Sequence, residues 1–161
     1  MRLLHAIIFS ACLLLATPVS AQRPALTPAQ TAEQEAYKVV EDWAAALDRN
    51  NVDEIVSKYA DAPVLFFGTK STILATTKAQ VRDYFSHFVA EDRPAVSLCE
   101  HKTIEVSSDA VLFAGFYDFV LKGGPVYARY SFLIRKLGGA WLISHHHSAA
   151  QPAGAMPCLK S

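Results

Sequence analysis

The feature that most constrains this chain is a change of period near its middle. Val96 to Val106, Ala110 to Lys122, Val126 to Lys136 and Ala140 to Ser148 alternate as strands do, and tight turns at Ser107-Ser108-Asp109, Gly123-Gly124 and Gly138-Gly139 separate them. A Gly-Gly pair between two apolar runs suits a two-residue hairpin, because both central residues need positive φ. Four long strands joined this tightly form an antiparallel meander. The chain before them follows a helical period instead. Thr27-Pro28-Ala29-Gln30 reads as a capped helix start, and Tyr37, Val40, Trp43, Ala44 and Leu47 then share one face until Asn50-Asn51. Asn51 with Glu54 begins a short helix carrying Ile55, Val56 and Tyr59. After Asp61-Ala62-Pro63, Val64 to Phe67 reads as a buried strand, and a second short strand is expected from Ser71 to Thr76. Thr77 and Gln80 cap a third helix, on which Val81, Tyr84, Phe85 and Phe88 line one side. Helices first and a meander last predict an α+β fold, with N-terminal helices packed on a strongly curved, mainly antiparallel sheet.

Met1 to Ala21 reads as a signal peptide. Arg2 precedes an apolar run from Ala6 to Ala16 that is too short to span a bilayer, and Val19-Ser20-Ala21 offers small residues for cleavage after Ala21. Phe9-Ser10-Ala11-Cys12 is a weaker alternative, a lipoprotein box, with its cysteine misplaced inside the apolar run. Cleavage predicts a periplasmic or secreted protein that starts at Gln22, with a domain over 28–148 and a tail over 149–161 rich in Ala and Pro. Arg2 leaves with the leader, so 14 Lys+Arg face 15 Asp+Glu, a formal charge of −1. Such a chain has no basic stripe for nucleic acid and no cationic cluster for an anionic membrane, so no contact with a membrane is expected beyond export.

Cys99 opens the first long strand and Cys158 follows the fourth. In an up-down-up-down meander those two points lie at one end of the sheet, which favours a disulfide over two separate thiols in an oxidising compartment.

Taking both Gly-Gly pairs as the hairpin loops sets a register. Asp118 faces Arg129, Phe116 faces Ser131, Leu133 faces Ser144, Ser131 faces His146 and Arg129 faces Ser148. Asp118, Arg129, Ser131, Ser144, His146 and Ser148 then share one face, and Tyr117, Phe119, Tyr130, Phe132, Trp141, Ile143, His145 and His147 share the other. Arg129 offers a bidentate grip on a carboxylate, so the polar face reads either as a pocket for a small organic acid between the helices and the concave sheet or as a simple Asp118–Arg129 salt bridge. Trp43 and Tyr59 would close such a pocket or merely fill the core. Leu112, Phe116, Val120 and Leu133 lie with the polar cluster, so both faces need cover, and a homodimer or higher oligomer is expected. His145, His146 and His147 alternate sides along a strand, so at most two converge; no helical HxxxH pair or further cysteine pair supplies the remaining ligands, and no metal site is expected in the chain. No nucleotide-binding or nucleophile motif is present and no cofactor is expected.

The stretch Trp43 to Leu47, Tyr59 to Leu65, Tyr84-Phe85, Ala128 to Phe132, Trp141 with His145 to Ser148, and Met156-Pro157 resembles the nuclear transport factor 2-like, SnoaL-like superfamily. Within it, the chain looks most like secreted bacterial relatives of the calcium/calmodulin-dependent protein kinase II association domain. The resemblance spans about Gln30 to Pro157. It implies a cystatin-like cone that dimerises through its sheet, with a pocket on the concave side and no kinase activity. Ser148 stands where the kinase hub has an arginine, and Ala149 to Ala155 separates the histidines from Met156-Pro157, so anion binding of the hub's kind does not carry over directly. Two functions compete: a non-catalytic, dimeric ligand-binding or assembly module, and an isomerase, dehydratase or cyclase using Asp118 as base with His146. Arg129 opposite Asp118 works against the second.

Overall fold

A computed structural model describes residues 26–158. The expected signal peptide and its expected cleavage site lie outside the described residues. Helix α1 (Pro28–Asp48) starts at Thr27, whose side chain accepts from the Gln30 amide while the Gln30 side chain reaches back, a complete capping box with proline in the first turn. Its buried stripe, which includes Val40, Trp43 and Leu47, packs on the sheet. Helix α2 (Val52–Ser57) is capped by Asn51, and α3 (Lys78–Asp92) by a second capping box at Thr77 and Gln80.

The strands are β1 (Leu65–Phe67), β2 (Ala95–Ser107), β3 (Ala110–Leu121), β4 (Gly124–Leu137) and β5 (Ala140–Ala150), in the spatial order β1-β5-β4-β3-β2. β2 to β5 form the expected antiparallel meander, and β1 joins β5 in parallel. The expected strand at 71–76 reduces to one bridge, Phe66 with Ala75, held by two backbone hydrogen bonds. Among the described residues no helix is long and apolar enough to cross a membrane.

All three helices pack on one face of the sheet. Along β3, Val111, Phe113, Tyr117 and Phe119 are buried toward them, while Ala114, Phe116 and Val120 on the alternate positions are exposed. The core therefore lies between helices and sheet and is mainly aromatic: Trp43 meets Phe85, Tyr117, Phe132 and His146 at ring-centroid distances of 5.2 to 6.3 Å.

Two registers differ from the expected ones. In the β3–β4 hairpin the loop is Lys122-Gly123, so Val120 pairs with Pro125, Phe116 with Arg129 and Asp118 with Tyr127. The Lys122 amide donates to the Asp92 carbonyl at the end of α3, which takes that residue out of the ladder. A shift by an even step preserves the faces, so Asp118, Arg129 and Ser131 remain together. In β4–β5 the loop is Gly138-Gly139 as expected, with φ of 59° and 86°, and Leu137 faces Ala140. Beyond Ile143 a β-bulge at Ser144 breaks the alternation, so Leu133 faces His145, Phe132 faces His146, Ser131 faces His147 and Tyr130 faces Ser148. The bulge falls where β5 meets the end of α2: Ile143 donates to the Lys58 carbonyl and accepts from the Ala60 amide.

Candidate functional site: a filled cage inside, an open groove outside

The Ser144 bulge divides the expected polar cluster. His146 and Ser148 turn inward with Trp43 and Tyr59, whereas Asp118, Arg129 and Ser131, expected in a pocket between the helices and the concave sheet, lie on the outer face away from the helices, with His145 and His147. Asp118 and His146, paired above as base and partner, therefore stand on opposite sides of the sheet. Ser144 itself is buried at the bulge, and its hydroxyl has no partner among the described residues.

Inside, His146 is 2 % exposed, with Phe132 stacked on it at 4.0 Å and Phe66 and Trp43 beside it. Its Nδ1 lies 2.7 Å from the Tyr59 hydroxyl and its Nε2 3.4 Å from the Tyr117 hydroxyl. A neutral imidazole has one donor and one acceptor nitrogen, so one phenol donates to the ring and the other accepts from it. Burial holds the His146 pKa well below 6.5, with His145 and His147 adding to the effect, so the ring is neutral. Burial likewise pushes the phenols of Tyr59 and Tyr117 up, so both stay protonated. Ser148 bonds to Thr69, and the Trp43 Nε1–H has no hydrogen-bond partner among the described residues. The space left among these groups is about 10 Å3, roughly one water. Tyr84 closes the cage: its ring lies against Gly68, where a Cβ would come within 2.2 Å of Cζ, and burial raises its phenol to about 12. On the other side of Tyr84 a surface groove of about 300 Å3 runs between α3 and residues 70–75.

Thr69, Gly68 and Tyr84 escaped the sequence reading as parts of a site. The only signal was a glycine directly after β1.

Outside, Lys102, Ala114, Phe116, Arg129, Ser131 and His147 line a groove of about 380 Å3. The small side chains of Ala114 and Ser131, paired across β3 and β4, leave the floor low, and Phe116 forms an apolar wall. Arg129 is exposed, and among the described residues it makes no ion pair; the Asp118–Arg129 salt bridge is absent. Asp118 instead accepts from the Cys158 amide at 2.8 Å. Lys102 pairs with Glu100 at 2.9 Å, and Ser131 meets His145 at 3.3 Å. Ile104, Phe116 and Val120 on this face are 62 %, 42 % and 64 % exposed, and Leu65 and Phe67, level with His145 and His147, extend the apolar surface. Cys99 and Cys158 are joined, with Cα atoms 6.0 Å apart, and this bond ties the tail down at the Asp118 end of the sheet.

Helices laid on one side of a curled meander, with an aromatic cage between the layers, define the cystatin-like, nuclear transport factor 2-like class of α+β cone. The SnoaL-like domain profile matches residues 37–153, and the chain belongs to that family. No curated protein matches it significantly. Among solved structures it is similar to a Xanthomonas campestris protein named as a calcium/calmodulin dependent protein kinase II association domain, at 29% identity and TM-score 0.70, over 84% of this chain and 99% of that one. It is also similar to a Nostoc punctiforme protein with a cystatin-like fold (14% identity, TM-score 0.65, 75% and 92% covered). A Novosphingobium aromaticivorans protein named as a scytalone dehydratase gives 14% identity and TM-score 0.67, with 81% and 99% covered. The last two likenesses concern the fold alone.

Proposed function

We propose that this protein is an exported, non-catalytic module that self-associates through the outer face of its sheet and holds a small organic acid at Arg129. The observation that carries the reading is how the two faces are used. The inner cage is filled to about 10 Å3, so it has no room for a substrate while Tyr84 closes it. The outer face keeps an unpaired arginine, a groove and a continuous apolar surface. Two-fold association of that face with its axis at the groove would bring groove to groove and Arg129 toward its own copy. Like charges brought together need an anion between them, and a guanidinium grips a carboxylate by two parallel bonds. Ser131 and His147 add hydrogen-bonding groups, and Phe116 suits an apolar substituent on the acid.

Native mass spectrometry of the purified protein tests this. A dimer carrying an organic-acid adduct is expected. Arg129→Ala is expected to remove thermal stabilisation by small carboxylates and leave the dimer intact; undiminished stabilisation takes Arg129 out of the role.

The second reading, a SnoaL-like enzyme, now rests on the cage rather than on Asp118. The unpartnered Trp43 N–H and the groove beyond Tyr84 favour it. It requires Tyr84 to swing aside, and turnover that depends on His146 and Tyr59 would support it.

A further inference from the structure

At the end of the outer face away from the β2–β3 turn, three metal-binding groups converge from separate parts of the chain. They are Cys99 on β2, Asp118 on β3 and Cys158 on the tail; their two sulfurs and a carboxylate oxygen all lie within 4.8 Å of one another, and each residue is half-buried. The tail reaches this point by crossing the sheet. The Gln151 amide donates to the Tyr127 carbonyl of β4, then the Cys158 amide donates to Asp118 Oδ2. Asp118 Oδ1 remains buried without any hydrogen-bond partner among the described residues. A buried carboxylate oxygen with no donor calls for a ligand, and the two sulfurs beside it can supply no hydrogen bond while they are joined.

We propose that reduction of the Cys99–Cys158 bond turns this cluster into a binding site for a zinc-like divalent cation. A dithiol reductant gives two electrons and two protons to the disulfide and becomes oxidised itself, leaving Cys99 and Cys158 as thiols. The metal then displaces both thiol protons to solvent. It binds two thiolate sulfurs and Asp118, with water completing a tetrahedron. Thiolate ligands favour zinc over calcium or magnesium. Sulfurs on one zinc ion stand roughly 3.8 Å apart, given Zn–S bonds of about 2.3 Å. Side chains rooted on Cα atoms 6.0 Å apart reach that spacing by rotation alone. Disulfide and metal exclude each other, so the same three residues fasten the tail under oxidising conditions by a covalent bond and under reducing conditions by an ion. The site is independent of the Arg129 groove and of the histidine run.

The test uses the full chain reduced by a phosphine, which does not chelate as a dithiol does, and titrated with cobalt(II). Expected are a sulfur-to-cobalt charge-transfer band saturating at one ion per chain, bleaching of that band by zinc, and no binding by the oxidised protein. Cys99→Ser removes the band. Asp118→Asn, close to isosteric, weakens the metal by at least the roughly 10-fold typical of losing even an outer-shell partner. A reduced, folded chain without the band overturns the proposal, and so do unchanged affinity in Asp118→Asn and loss of the circular-dichroism signal on reduction, because the site exists only in the fold.

Discussion

His146 illustrates how one residue's surroundings set its chemistry. On the surface its ring would titrate near neutrality; wedged between Phe132, Trp43 and Phe66 and bonded to two phenols, it stays neutral. The folded pKa lies below the unfolded value of 6.5. The unfolded chain therefore binds the extra proton, and the stability from His146 is complete above pH 6.5 and drains away as the pH falls below it. The unfolding free energy of the wild type, measured by urea denaturation, should fall on acidification by up to about 1.4 kcal/mol per pH unit from this group alone. His146→Phe should flatten that limb, and an identical slope in the variant would assign it elsewhere. Gly68 is a second such residue. A Cβ there meets only the far end of Tyr84, which can swing toward the α3 groove. Gly68→Ala should cost no more than about 1–3 kcal/mol. It should also open the cage, read as thermal stabilisation by a small aromatic such as indole that the wild type lacks.

Among the elements, β2 carries two register shifts and β5 one bulge, and none is marked by a local signal. The β2 irregularity between Leu98 and His101 lies against Gly115, where a Cβ would stand 2.5 Å from the Glu100 carbonyl oxygen and 2.9 Å from the His101 Cα. Backbone cannot swing aside as a tyrosine can. Gly115→Ala should therefore be more destabilising than Gly68→Ala, whereas Gly123→Ala, with open space around it, should be neutral within about 0.5 kcal/mol. Equal denaturation midpoints for Gly115→Ala and Gly123→Ala would remove the argument. The capping boxes of α1 and α3 and the Gly138-Gly139 turn were readable in advance because each depends on a few consecutive residues. The shift at Lys122 was not, because its cause, the Asp92 carbonyl, belongs to α3 and reaches the hairpin only once helix and sheet have packed.

At the scale of the whole molecule, the two faces of one sheet have different fates. The inner face is sealed by helices, while the outer keeps Ile104, Phe116 and Val120 in solvent. Such a surface on a single chain marks an interaction site. With the self-association proposed above, Phe116→Asp should shift the protein from dimer to monomer in light scattering and leave the circular-dichroism spectrum unchanged; a dimer that survives would move the interface off this face. The same scale separates what sequence determined from what only packing decided. Period, caps and glycine turns act over short stretches of chain, so the α+β layout, the meander and the convergence of Cys99 with Cys158 follow from the sequence directly. The division of Asp118 and Arg129 from His146 does not. It depends on one extra residue in β5, placed where Ile143 satisfies the backbone of Lys58 and Ala60, and that demand comes from the end of α2, remote from β5 along the chain and brought beside it only by the fold.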